Sequence, residues 1–252
     1  MPDNSSHDIK HSSPCLYLFP VPLSSGDVGR VLPELNIQII RDIKYFVVEN
    51  VRSARRFLKK CDSGIDIDSL TFFELNRHTA VADIAGFLAP MAAGNSMGVI
   101  SEAGCPAIAD PGADVVAIAQ SRGYRVVPLV GPSSILMSLM ASGFNGQSFA
   151  FLGYLPVDNE ARLKRWKILE QNIARLDQTQ IFIETPYRNN KLIAEMIRVL
   201  SPSTKLCIAS DITGENESII THTIAEWRNI KYDYDKVPTI FLIYKLLWKR
   251  NR

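Results

Sequence analysis

Met97-Gly98-Val99-Ile100-Ser101-Glu102-Ala103-Gly104-Cys105-Pro106-Ala107-Ile108-Ala109-Asp110-Pro111-Gly112 passes from a short apolar run into a loop and then toward a helix. Residues 97–101 read as a buried strand, and apolar residues at helical spacing resume over roughly 113–122. The loop between them therefore lies at the carboxyl end of a strand, where open α/β sheets bind ligands. It is long for such a connection. Two glycines and two prolines fix a backbone shape that lets main-chain groups approach a ligand, and Asp110 before Pro111 can cap and turn the chain. A rigid turn without a ligand is the other reading of the same residues.

Outward from this loop the pattern repeats. Before it come CLYLFPV (15–21), YFVVEN (45–50), a helix in which Val51, Ala54, Leu58 and Cys61 recur, LTFFEL (70–75) and a helix over roughly 78–92. After it come RVVPLV (125–130) and a helix from Ser133 to Ala141. Strands alternating with helices predict a parallel or mostly parallel sheet covered on both faces. The pattern restarts with FAFLGYLP (149–156), a polar helix near 159–175, TQIFIE (179–184), a helix near 187–200 opened by Thr185 and Pro186, TKLCIAS (204–210), an acidic turn, and VPTIFLIYK (237–245). We therefore expect two α/β domains, 15–130 and 131–252, behind a disordered lead-in at 1–14.

A chain of 252 residues, 46% hydrophobic and 21% charged, is globular rather than fibrous or disordered. Apolar stretches such as Ile240 to Tyr244 fall far short of the ~20 residues a membrane helix needs, and residues 1–14 lack the apolar core of a signal peptide. A soluble, cytoplasmic protein without membrane attachment is expected. The four cysteines and four histidines are scattered, so neither a disulfide framework nor a metal site is indicated. Residues 1–127 hold 12 Lys+Arg against 14 Asp+Glu, which leaves 16 against 12 for the second half. Arg162, Lys164, Arg165 and Lys167 form one basic cluster, read first as a solvated helix face because Glu160 can pair with Lys164. Arg52, Arg55, Arg56 and Lys59 form another, read as a wet face or, alternatively, a basic substrate groove.

Two more loops join strands to helices: Pro20-Val21-Pro22-Leu23-Ser24-Ser25-Gly26-Asp27, and Val130-Gly131-Pro132-Ser133-Ser134. In the latter a serine can cap the helix, or free N–H groups can hold a carboxylate or phosphate. No loop carries a nicotinamide or P-loop motif.

Taken in order, these loops resemble the tetrapyrrole methylase family, S-adenosylmethionine-dependent methyltransferases built from two α/β lobes with the ligand cleft between them. The best-fitting branch methylates a ribose 2′-hydroxyl of small-subunit (16S) ribosomal RNA. Its long loop reads approximately VSDAGTPLISDPG, against VISEAGCPAIADPG at 99–112 here. VVPLVGPSSILMSLMASG (126–143) resembles its VVPLPGP stretch and following helix, FLGYLP (151–156) its GFLP, and ETPYR (184–188) its ES-x-HR. The resemblance spans residues 15–245.

Other motifs depart from the family. TPIGN…D becomes Val21-Pro22-Leu23-Ser24-Ser25 with Asp27, EDTR becomes Glu49-Asn50-Val51-Arg52, HNE becomes Leu75-Asn76-Arg77, and ARELTK becomes Ala209-Ser210-Asp211-Ile212-Thr213-Gly214. The resemblance implies donor contacts from Pro22, Ser101, Glu102, Ala103, Gly104, Cys105, Ser133, Ser134, Glu184, Ala209, Pro238 and Thr239. It implies Glu49, Arg52 and Asn76 as the groups able to activate an oxygen acceptor, with a local ion pair as the plain alternative for Glu49 and Arg52. It also implies a homodimer, for which Trp166, Trp227 and Trp248 offer apolar surface, and a ribosomal RNA acceptor; if the acceptor is RNA, the positive balance of the second half and the Arg52/Arg55/Arg56/Lys59 face would supply the phosphate contacts. A small tetrapyrrole-like substrate, or a diverged non-catalytic S-adenosylmethionine-binding protein, are the alternatives.

Overall fold

The computed structural model describes residues 13–76 and 79–245. Most of the 1–14 lead-in, Arg77, Trp248 and the basic tail thus lie outside the described residues. The chain divides into two compact units. Gly26–Pro132 with the residues up to Pro22 make the first, and Leu23–Ser25 with Ser133 onward make the second.

The first unit contains β1 (Cys15–Phe19), α1 (Glu34–Asp42), β2 (Tyr45–Val48), α2 (Val51–Cys61), β3 (Thr71–Glu74), α3 (Val81–Phe87), α4 (Ala89–Ala92), β4 (Met97–Ile100), α5 (Gly112–Ser121) and β5 (Arg125–Pro128). Its sheet runs β3-β2-β4-β1-β5 and every pair is parallel. The inner strands β1, β2 and β4 are apolar on both faces, as expected where helices cover both sides: Leu16, Phe19, Phe46, Val47, Met97 and Val99 are all buried. Gly98 is required by that packing, since a Cβ there would stand 2.6 Å from the Phe46 ring and 2.8 Å from Phe19. The single helix expected over 78–92 is two short ones. Leu88 leaves helical geometry at ψ 9°, and Pro90, which has no N–H to donate, is tolerated in the first turn of the second, which begins at Ala89. Sequence reading passed over α1, which lacks a side-chain N-cap. Asn36 on this helix is buried, its amide donating to the Val130 carbonyl at 2.9 Å.

The second unit contains α6 (Ser134–Ser142), β6 (Phe149–Tyr154), α7 (Asn159–Leu176), β7 (Thr179–Ile183), α8 (Asn189–Val199), β8 (Lys205–Ser210), β9 (Ser218–Thr223), α9 (Ile224–Trp227) and β10 (Thr239–Tyr244). Its sheet runs β6-β7-β10-β8-β9. The α/β class holds here, but the sheet is mixed: β6 and β7 are parallel, whereas β10 lies antiparallel to both β7 and β8, and β8 to β9. The strand β9 was hidden because Ser218 to Thr223 follows a polar acidic turn and is only half-buried.

Two expectations for this unit are corrected. Arg162 is not on a wet face. It is buried, and its guanidinium spends all five donors on Glu195, Asn159 and the Pro156 and Val157 carbonyls. The pairing of Glu160 with Lys164 is present at 2.7 Å, on the exposed face. Trp166 and Trp227 are 2% and 1% exposed and belong to the core, with their N–H groups donating to Glu195 and the Leu206 carbonyl. They offer no interface surface. Among the described residues, no helix is long and apolar enough to cross a membrane.

Candidate active site

The carboxyl ends of β1, β2 and β4 lie side by side in the first unit, and the 101–112 loop continues from β4. Gly104 bridges to the segment after β1 through paired backbone bonds with Val21, both 2.9 Å. Its φ of 71° is one that L residues rarely adopt, which explains a glycine here. Ala107 and Ala109 also have positive φ, at 65° and 61°. Such kinks persist only when the surroundings hold them. Asp110 supplies that hold: its Oδ1 accepts the N–H groups of Ala107 at 2.9 Å and Gly112 at 2.7 Å. Its Oδ2 is buried and has no partner. Burial raises the Asp110 carboxyl above its ordinary range despite those two bonds.

Glu49 immediately follows β2 and shares a small pocket with Leu75, Ser101, Asp110 and Pro111. Its carboxyl is also raised, first by burial and then by the negative charges of Asp110 and Glu102, partly offset by a backbone hydrogen bond from Glu102. Glu49 and Arg52 form no ion pair. Asn50 instead caps α2, accepting from the N–H groups of Arg52 at 2.9 Å and Ser53 at 3.2 Å, which starts the helix at Val51 and turns Arg52 toward solvent. Glu102, one methylene longer than the family's Asp, reaches back to α2, where its Oε2 accepts the Ser53 hydroxyl at 3.0 Å. Asn76 follows β3 and its amide donates to Glu74. The Ser101 hydroxyl donates to the Ala103 carbonyl, and the Cys105 thiol to the Pro132 carbonyl.

The remaining donor-site expectations fall on the second unit. Ser133 acts as the N-cap of α6, accepting from the Leu136 N–H, and Ser134 is that helix's first residue. Glu184, at the end of β7, is held locally: its Oε1 accepts from the Thr185 N–H at 2.7 Å and Arg188 at 2.8 Å. Ala209, Pro238 and Thr239 come together where β8 meets β10, with Ala209 beside Ile240 and Thr239 beside Ser210. The turn after them departs in sequence from the family motif. The Asp211 carboxylate occupies the space a Cβ at Gly214 would need, as close as 2.1 Å, and accepts the Asn216 N–H. Glycine therefore stands where the family motif ends in lysine. Leu23 packs on the apolar cluster of Leu139, Ile181 and Ile240, and Ser24 meets Thr213, hydroxyl to hydroxyl, at 3.4 Å.

No family model matches the chain. Ribosomal RNA small subunit methyltransferase I of Vibrio cholerae is 30% identical to it, over 90% of this chain and 74% of that protein. The protein of the same name from Mesorhizobium japonicum is 32% identical over 84% and 68%, and that of Bacillus subtilis 29% identical over 85% and 70%. The chain belongs to this methyltransferase family. Among solved structures it superposes on the methyltransferase CobJ with a TM-score of 0.59 at 16% identity, over 93% of this chain and 95% of that one. Uroporphyrin III C-methyl transferase from Thermus thermophilus gives 0.55 at 13% identity, over 91% and 97%. At such identities these two likenesses establish a shared fold and nothing about substrates.

Three residues that shape these loops carry no site role in the sequence reading: Asp110 is read there as a cap and turn former, Asn50 only as a departure from EDTR, and Ser53 not at all. The signal available for Asp110 was its place before Pro111-Gly112, where a carboxylate can bond backward and forward along the loop at once.

Proposed function

We propose that the protein transfers a methyl group from S-adenosylmethionine to a ribose 2′-hydroxyl of small-subunit ribosomal RNA. The observation that carries this reading is Glu49: a half-buried carboxyl at a strand end, raised by burial and by Asp110 and Glu102, beside the loop that matches the family most closely. A neutral ribose hydroxyl is a poor nucleophile, so a positioned base helps it react. When bound, S-adenosylmethionine supplies a methyl group on a positively charged sulfur. Glu49 takes the proton that the attacking hydroxyl gives up, while Asp110 and Glu102 keep that proton attractive to it. Gly104, lacking a Cβ, and the neighbouring Ser101 to Cys105 backbone let a ligand approach closely, which fits a donor with polar ends. Arg52 lies exposed at the start of α2 and Asn76 after β3, where they orient the acceptor. Ser133, Ser134, Glu184, Ala209, Pro238 and Thr239 are the donor contacts proposed from the second unit.

A homodimer is part of the same reading, supported by the exposed Leu136 and Met140 of α6 rather than by tryptophan. A cytoplasmic location follows from a ribosomal acceptor. The departure of residues 209–214 from the family motif, ending in Gly214, favours one second reading, a donor-binding protein without transfer activity. Calorimetric titration with S-adenosylmethionine and S-adenosylhomocysteine, followed by methyl-transfer assay on undermodified small-subunit RNA, decides between them. Binding with ribose methylation is expected; binding alone leaves the second reading, and no binding removes both.

A further inference from the structure

Helix α2 has five basic residues among eleven and no acidic one. Arg52, Arg55, Arg56 and Lys59 recur at three- and four-residue steps, so they form one stripe along the helix, and all four are exposed. Such a stripe, left without acidic neighbours on its own helix, repels itself unless anions meet it. The nearby Asp62 is bonded by Arg41 at 2.6 Å and also feels the charge of Lys59, whose ammonium donates to the Ser63 carbonyl at 2.9 Å, so Arg52, Arg55 and Arg56 are the part of the stripe without an acidic partner among the described residues.

Two of the arginines are held rather than loose. The Arg55 guanidinium lies over the Phe72 ring at 5.6 Å from its centre, and Arg56 donates to the Ser53 hydroxyl at 3.4 Å. Ser53 in turn donates to Glu102. A continuous chain of contacts thus runs from the basic stripe to the 101–106 loop, all within the first unit. The other basic cluster differs. On α7, Arg162 is buried against Glu195 and Lys164 is paired with Glu160, so among the described residues Arg165 and Lys167 are the cluster's unpaired cations, and Arg165 is only partly exposed.

We propose that the Arg52/Arg55/Arg56/Lys59 stripe of α2 is the surface on which the RNA backbone docks, with Arg55 and Arg56 each contacting a phosphate and Ser53 tying that contact to Glu102. This rests on the RNA reading above and adds to it the residues that hold the strand. Held guanidiniums lose little freedom on meeting phosphate, and their flat fork matches its oxygens.

The test is binding of in vitro transcribed small-subunit ribosomal RNA at several salt concentrations by the parent, by Arg55→Gln/Arg56→Gln, and by a control, Lys164→Gln/Lys167→Gln. S-adenosylhomocysteine affinity is measured in each. Counterion release at two single-strand phosphates contributes a factor of about four each at 0.15 M salt, so the α2 variant should bind RNA about fifteenfold more weakly. Its plot of log affinity against log salt should be shallower by about 1.4. The control should match the parent, and all three should bind S-adenosylhomocysteine alike. If the parent binds and methylates RNA but the α2 variant equals it, the docking surface is wrong and the RNA reading stands. If the parent does not bind RNA, both fall. Should the α2 variant also lose S-adenosylhomocysteine affinity, the stripe supports the fold or the donor site and the proposal is overturned.

Discussion

Glu49 sits where burial and two neighbouring carboxylates all oppose its ionisation. A base in that position is protonated, and silent, at a pH where an exposed carboxylate is already charged. Methyl transfer should therefore fall, as pH is lowered, through a value above the ordinary carboxylate range, and a pH–rate profile would show it. Glu49→Gln should lower kcat by about 10²–10⁴-fold while donor affinity stays as it was. Gly104 makes a different demand. At φ 71°, Gly104→Val would add about 1–2 kcal/mol of backbone strain and crowd the ligand side of the loop. Weaker S-adenosylmethionine binding in a folded variant is expected, read by calorimetry beside a melting curve; unchanged affinity would move the donor elsewhere. Single residues were legible in sequence where a motif fixed the backbone, as at Gly104. They were illegible where a partner decides the role. Nothing local to Arg162 or Ser53 announces Glu195 or Glu102, which lie 33 and 49 positions away.

Between elements, the α7–α8 contact is the clearest case of polar groups holding a core. Arg162 and Glu195 meet through two bonds of 2.8 and 2.7 Å, and Trp166 adds a third to the same carboxylate. The Arg162 guanidinium holds Glu195 below the usual carboxylate range. That contribution is full above the unfolded value of about 4.3 and is lost as pH falls through the lower folded one, so it adds to acid unfolding. Arg162→Met strands a buried charge and should cost about 3–5 kcal/mol, measured by urea unfolding near pH 7. Elements with strong periodicity or a short apolar and aromatic run could be read from sequence, which covers all five strands of the first sheet and α2. The boundary between α3 and α4 depended on one proline. The strand β9 carries four β-branched residues in SIITHT, a strand signal that was passed over because the segment is short, follows the acidic turn and is completed only by pairing with β8 along its whole length.

At the scale of the molecule, alternation of strand and helix gives the class of each unit, but the order of strands and the reversal of β10 come from long-range pairing. If Leu136 and Met140 on α6 are an interface, light scattering should find a particle of twice the 28.1 kDa chain mass at micromolar concentration, and Met140→Glu should halve it. A monomer in the parent would refute the dimer. The three residues Leu23–Ser25 bear on the molecule in another way. They are encoded far upstream of everything else in the second unit, yet Leu23 packs into its apolar cluster and Ser24 meets Thr213. The C-terminal half is consequently not a cassette. A gene fragment starting at Ser133 would omit part of its own product's interior, and an exchange of C-terminal halves between relatives would have to carry a matching tripeptide from near the other end of the gene.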